Sequence, residues 1–316
     1  MPPSRPPGAR KVKVVNDLDQ LAVNTIRTLS MDAVQAANSG HPGTPMALAP
    51  VGHVIFDRIL RHAPQDPDLP NRDRFVLSVG HASMLLYATL HLQGYDLGLD
   101  DIKQFRQLHA ACAGHPEFGE CPGVATTTGP LGQGVANSVG MAIAKRRLAH
   151  LFNRPGHELF DWQVVALCGD GDLMEGISYE AASIAGHLKL SDLTWVYDAN
   201  QITIEGSTDL AFTEDVAQRF RACDSNELGA LETALSAARE RSDAPSLVIV
   251  ESRIGFGSPN KENTAGAHGA PLGADEIRAT KENYGWDPDA DFLVPEEVKN
   301  TVSGRAHERG EALVAD

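Results

Sequence analysis

The stretch CGDGDLMEGISYEAASIAGH (168–187) follows the apolar run WQVVAL (162–167), so it sits where a strand hands over to a helix. Gly169 and Gly171 flank Asp170, and two more acids, Asp172 and Glu175, follow at once. In a dinucleotide fold the glycines of such a turn bring backbone N–H groups to a diphosphate in the pattern G-x-G-x-x-G. Here the glycines fall at Gly169, Gly171 and Gly176, and an acid stands between the first two. Two like charges at about 4 Å repel by roughly 4 kcal/mol at an effective dielectric near 20, which excludes a bare phosphate. A divalent cation between carboxylate and diphosphate reverses the sign, and magnesium suits it because it is hard and is bound by few protein oxygens plus phosphates.

The next apolar run supplies further oxygens. LTWVYDANQITIEG (193–206) ends in Asn200, whose amide oxygen is neutral and hard, followed by a turn with carbonyls at Gln201 and Ile202. Adjacent parallel strands set 170 and 200 side by side at the C-terminal sheet edge, where open α/β sheets bind ligands. Gly-Asp-Gly by itself also fits an ordinary tight turn. Its pairing with Asn200 on the neighbouring strand argues for a metal–diphosphate site.

Outward from this unit, the spacing predicts helices from Asp17 to about Asn38, over 46–60, 82–93, 135–152, 178–190, 213–222 and 227–241. Strands are predicted over 74–78, 162–168, 193–198 and 246–252. The alternation implies an α/β fold, a doubly wound, mostly parallel sheet with helices on both faces. Glycine- and proline-rich loops at 39–45, 118–134 and 253–273 are long for connectors in a compact domain, which marks them as functional. Residues 1–16 are expected to be a mobile tail, 17–273 the main domain, and 274–316 a helical connector.

The chain has 316 residues, 42% of them apolar, enough for a sizeable core. Its 27 Lys and Arg against 42 Asp and Glu give a net charge of -15, and no basic run exceeds Lys145-Arg146-Arg147. Nucleic acid and anionic membrane are therefore poor partners. With no signal-peptide pattern and no long apolar run, a cytoplasmic location is expected. Cys112, Cys121, Cys168 and Cys223 lack zinc or redox spacing and read as reduced thiols.

SGHPGTP (39–45), NRDRFVLSVGHASMLLYATLHLQGYDL (71–97), GHPEF (114–118), TTGPLGQGVANSVGMAIA (127–144), GDGDLMEGISYEAASIAGHLKL (169–190), YDANQITIEG (197–206) and GFGSPNK with HGAPLG (255–273) occur in the order found in transketolases. The chain resembles the N-terminal, thiamin diphosphate-binding (PP) domain of that family over roughly residues 20–290. The resemblance implies a thiamin diphosphate-binding fold with Mg²⁺ held by Asp170, Asn200 and the carbonyl of Ile202. It implies diphosphate contacts at His81, Gly171, Asn200 and His268. Gly129, Pro130 and Leu131 would line the cofactor, and Ile204 would pack on its thiazolium. His41, His115 and His268 would face the sugar as catalytic groups, imidazole being able to give and take protons near neutral pH. Glu175 and Glu180 would lie at a subunit interface and relay protons between paired sites. The implied reaction moves a two-carbon ketol unit from a ketose phosphate to an aldose phosphate, as in the pentose phosphate pathway. His150, His157 and His187 carry no motif and read as surface or packing residues.

The match lacks the pyrimidine-binding domain of the family, so the chain is expected not to turn over sugar alone. It is expected to be the N-terminal subunit of a split transketolase, meeting a C-terminal subunit in a homo- or hetero-oligomer. The alternatives are a non-catalytic cofactor-binding remnant or scaffold, or a subunit of a dihydroxyacetone synthase type of enzyme. Between the helices at 213–222 and 227–241 only CDSN stands where the family has an aromatic-led strand, so the sheet is expected to lose or shorten a strand there. Val79, Ala82, Met46-Ala47 and Ala199 also depart from the family pattern without removing an implied ligand.

Overall fold

The structure, a computed structural model, describes residues 18–214, 216, 222–224 (backbone only) and 228–315. The tail expected over 1–16, the Asp17 cap and most of the helix expected over 213–222 lie outside the described residues. Strands β1 (Arg74–Leu77), β2 (Val164–Gly169), β3 (Leu193–Ala199), β6 (Ala222–Asp224) and β7 (Ser246–Glu251) form one sheet in the order β1-β2-β3-β7-β6, all parallel. A separate hairpin joins β4 (Ile202–Thr203) to β5 (Gly206–Ser207).

The apolar runs are continuous because both sheet faces are covered. Val165 and Leu167 of β2 belong to one core with α1 (Leu18–Ala36), α2 (Gly43–Val54) and α3 (Ser83–Gln93). Val164, Ala166 and Cys168 belong to a second core with α5 (Gln133–Phe152) and α7 (Gly176–His187). Each fully buried aliphatic side chain contributes about 1.5–3 kcal/mol, so neither face can be left to solvent.

Two details differ from the sequence expectation. The helix expected over 46–60 ends as α2 at Val54 and runs on through a five-residue π turn, Ile55–Ile59. Asp170 does not sit in an open turn: it is the first residue of a short helix, α6 (Asp170–Met174). The edge strand is present in shortened form, as the sequence led one to expect: β6 is three residues long. A further short helix, α4 (Leu99–Lys103), lies in a stretch that carries too few residues for a periodic signal.

The C-terminal segment is two helices, α9 (Ala274–Asn283) and α10 (Glu296–Ala315), after α8 (Leu228–Glu240). Both pack on the main body: Val298 and Val302 of α10 belong to the first core, and the fully buried Lys281 of α9 pairs with Asp32 of α1 at 2.6 Å. Among the described residues no helix is long and apolar enough to cross a membrane.

Candidate functional site

The register Gly169↔Asp198 places the ends of β2 and β3 level, so Asp170 and Asn200 emerge side by side at the C-terminal sheet edge. Asp170 is buried and accepts the Tyr197 hydroxyl on Oδ1 at 2.5 Å and the Gln201 amide on Oδ2 at 3.0 Å. Burial, outweighing these hydrogen bonds, pushes its carboxyl above the usual range. Among the described residues no Lys, Arg or His pairs with it. Asn200 gives its amide nitrogen to Asp198 at 2.7 Å and accepts the Ile202 N–H on its oxygen at 2.9 Å, which fixes its orientation. Asp198, also buried, is pushed to about 7, first by burial and further by the charge of Asp170, against the hydrogen bonds from Ser252 and Asn200.

Among the described residues these two buried carboxyls at one sheet edge have no cationic side-chain partner, which is costly in low dielectric. A hard divalent cation fits this donor set of carboxylate, amide and carbonyl oxygens.

Asp172, two residues on, has a different role that sequence reasoning missed. It is fully buried and accepts Ser78 Oγ at 2.8 Å, Gly132 N at 2.7 Å and Gly169 N at 3.1 Å. One carboxylate thus ties the end of β1, the 127–132 loop and the end of β2. The readable signal was its place three residues after Gly169, where a side chain reaches back to the helix N-cap.

Three histidines form a cluster of their own. The rings of His41, His81 and His268 stand with centroids 5.0 Å (41 to 81), 5.6 Å (41 to 268) and 5.0 Å (81 to 268) apart. Burial, helped by the other histidines and by Arg106, lowers His41 to about 4. Burial and the neighbouring histidines hold His81 well below its usual value, and burial alone lowers His268. The Nδ1 atoms of His41 and His268 are buried without a hydrogen-bond partner among the described residues. Such orphaned polar atoms fit a bound polar group. His115 stands at the exposed mouth, lowered by burial and then by Arg106.

The loops meet through glycines. A Cβ on Gly80 would come within 2.7 Å of the Gly129 nitrogen. Gly129 itself has φ 149°, and a Cβ there would stand 3.2 Å from Cγ of the His115 ring. Pro130 and Leu131 follow in that loop, and a Cβ on Gly171 would lie 3.1 Å from Leu131 Cδ1. On the other side, Ile204 is 59% exposed, and a Cβ on Gly269 would lie 3.2 Å from its Cδ1 and 3.5 Å from His41 Nε2. Asp170, Gly171, Leu131, Gly129, His115, His81, His41, His268, Ile204, Ile202 and Asn200 therefore form one continuous rim.

Glu175 and Glu180 are outside it. Both are exposed, on the side of α6 and α7 that also presents Ile177, Ile184 and Leu188. His150, His157 and His187 are exposed and remote from the cluster, as their lack of motif implied. Cys112, Cys121 and Cys168 are buried free thiols, and burial raises each.

The family model described as "Transketolase, thiamine diphosphate binding domain" matches residues 18–316. The chain is 52% identical to a transketolase of Geobacillus stearothermophilus over 293 residues, 90% of this chain and 44% of that protein. It is 52% identical to transketolase 1 of Escherichia coli K12 over 283 residues, 87% of this chain and 42% of that protein. The structure of a Pichia stipitis transketolase in complex with sedoheptulose 7-phosphate superposes with a TM-score of 0.91 at 45% identity, covering 94% of this chain and 45% of that one. The chain thus spans less than half the length of these relatives.

Proposed function

Because the chain belongs to the transketolase family through its thiamine diphosphate binding domain, we propose that it is the cofactor-holding half of a transketolase. In this reading it binds thiamin diphosphate with Mg²⁺ and, with a partner subunit carrying the pyrimidine domain, moves a two-carbon ketol unit between sugar phosphates. The observation that carries it is the buried Asp170, with no cationic partner among the described residues, beside Asn200 at the sheet edge. When bound, the cofactor supplies the carbon centre that takes up the ketol unit.

The chain's own residues divide the work. Asp170, the Asn200 side chain and the Ile202 carbonyl hold Mg²⁺. His81, His268, Gly171 and Asn200 receive the diphosphate, and Gly129, Pro130, Leu131 and Ile204 wall the rings. His41, lowered to about 4, is neutral at pH 7, as are His81 and His268, so each offers one N–H donor and one lone pair. A neutral imidazole donates to an oxygen on which charge builds and takes the proton of a hydroxyl. His41, His268 and, at the mouth, His115 would serve these tasks toward the sugar. This full set favours catalysis over a non-catalytic remnant.

Sugar phosphates as substrates are supported by the sedoheptulose 7-phosphate found in the Pichia stipitis relative. A subunit contact over Glu175 and Glu180 is supported by the exposed Ile177, Ile184 and Leu188 beside them. Three free, buried thiols fit a reducing, cytoplasmic setting.

The test is calorimetric titration of the chain with thiamin diphosphate, with and without Mg²⁺. Binding that needs Mg²⁺ and vanishes in Asp170→Ala is the expected result. Equal affinity for the cofactor without a divalent ion, or in the variant, refutes the site. Turnover is expected only after addition of a pyrimidine-domain subunit.

A further inference from the structure

Resting on that reading, we propose that Arg106 is a positioning residue that clamps the loop carrying His41 to the loop carrying His115, setting the two imidazoles across the substrate mouth. Arg106 lies in neither histidine motif and in no implied ligand set. It reaches both loops. Its Nη1 donates to Ser39 Oγ at 2.7 Å, two residues before His41. Its guanidinium lies on the backbone of Gly114, where a Cβ would stand 3.2 Å from Nε and 3.4 Å from Cζ, one residue before His115. The preceding residue reinforces the first contact: Phe105 is buried, and a Cβ on Gly40 would meet its Cε1 at 3.0 Å.

The backbone at Arg106 is held for this purpose. Its φ of 62° is left-handed, which a long side chain adopts only where surrounding contacts impose it, and its N–H is fixed to the Cys112 carbonyl at 2.9 Å. Its Nε is buried without a hydrogen-bond partner among the described residues. A strained backbone and an unsatisfied donor at one residue are costs that folding alone does not explain, and they recur at functional sites. The residue also lines an open cavity of about 690 Å³ with Ser39, His115, Glu117 and Glu120, at the mouth rather than in the core.

The clamp also carries a charge. The groups facing His41 are His81, His268, His115 and Arg106; those facing His115 are Arg106, His41 and Glu117, the last opposing the cation. Burial is the first cause that lowers both imidazoles, and the Arg106 guanidinium adds to it by disfavouring a proton on either.

The experiment is run on the purified chain with histidine-labelled nuclear magnetic resonance and amide hydrogen exchange, using Arg106→Gln, Arg106→Lys and Ser39→Ala. Arg106→Gln removes the cation, so the titration midpoints of His41 and His115 rise by about half a pH unit or more. Arg106→Lys keeps the charge and the low midpoints but not the fork. Both it and Ser39→Ala speed exchange in the 39–45 loop by about tenfold while distant core amides are unmoved. A merely structural arginine would not move the midpoints. Unchanged midpoints in Arg106→Gln, or unchanged loop exchange in both Ser39→Ala and Arg106→Lys, overturn the proposal. Both readouts need no cofactor, so a wild-type chain that fails to bind thiamin diphosphate, which sinks the functional reading, is distinguished from failure of the Arg106 clamp itself. With a pyrimidine-domain subunit present, the same variants lower kcat while cofactor affinity is kept.

Discussion

Asp170 and Asp172 stand two residues apart, both buried, and their replacement by alanine should give opposite phenotypes. Asp172 accepts three hydrogen bonds, from Ser78 Oγ, Gly132 N and Gly169 N. Hydrogen bonds to a charged acceptor contribute about 1.5–3 kcal/mol each, and each amide left unsatisfied in the interior costs about 1–3 kcal/mol. Burial opposes the charge, as the raised carboxyl of Asp172 indicates, and its removal returns part of this. The net loss for Asp172→Ala is about 3–5 kcal/mol, comparable to breaking other buried charged networks. At about 2 °C per kcal/mol for a chain of this size, the melting midpoint falls by about 6–10 °C. Asp170 accepts only from Tyr197 and Gln201, and its removal relieves repulsion with Asp198, so Asp170→Ala should cost about 0–1 kcal/mol. Scanning calorimetry of both variants without ligand, then titration with thiamin diphosphate and Mg²⁺, separates the two roles. Asp172→Ala melting within a degree of wild type refutes the three-way tie. An Asp170→Ala protein that is strongly destabilised yet still binds the cofactor refutes the metal role.

Acid should destabilise the chain in a defined window. His41 and His62 are both lowered to about 4 by burial, so between pH 6.5 and 4 the unfolded chain binds protons that the folded chain refuses. Stability is complete above 6.5 and is lost as pH falls toward 4, by up to about 1.4 kcal/mol per pH unit for each histidine, which urea denaturation across this range measures. A flat profile there contradicts the burial of these rings. Gly80→Ala places a Cβ 2.7 Å from the Gly129 nitrogen, a backbone contact that cannot give. It should cost about 1–3 kcal/mol and separate the His81 and Gly129 loops, seen as a lower melting midpoint together with at least tenfold weaker cofactor binding. Lys281→Met leaves the buried Asp32 without its partner and should cost about 3–5 kcal/mol in denaturant unfolding, whereas Lys281→Met with Asp32→Leu should recover most of that loss.

How much of this was legible from sequence follows from where each signal resides. Val164–Gly169 and Leu193–Ala199 are buried almost throughout, as is the middle of Ser246–Glu251, so their apolar runs announce parallel strands, and the Gly-Asp-Gly sequence with Asn200 on the next strand points to the sheet edge. The histidines could be gathered only by resemblance, since His41, His81, His115 and His268 come from four separate loops whose meeting depends on close approaches at Gly80 and Gly129. Asp172 was hidden because two of its three donors are backbone groups, which carry no side-chain pattern. Arg106 was hidden because its partners are a serine and a glycine of distant loops. The pair Lys281 and Asp32 joins two helices that each read as amphipathic alone, and docking of the last two helices on the first leaves no local trace.

The division between acids and histidines has an electrostatic reason. Imidazolium ions 5.0 Å apart, as the rings of His41 and His81 stand, would repel by roughly 3 kcal/mol per pair at an effective dielectric near 20, and three such pairs would meet in one cluster. The cluster is therefore stable only neutral, and neutral imidazoles cannot balance an anionic cofactor. In the proposed site the compensating charge has to come from elsewhere, and Asp170 with Asn200 is where a cation would be held. In that proposal neutral histidines would leave the sugar-facing side free to exchange protons, while the cation would hold the diphosphate at the sheet edge. Arg106, at the mouth, adds to burial in lowering His41 and His115. Its contacts with Ser39 and Gly114 make the same residue both the source of that field and the link between the loops it acts on.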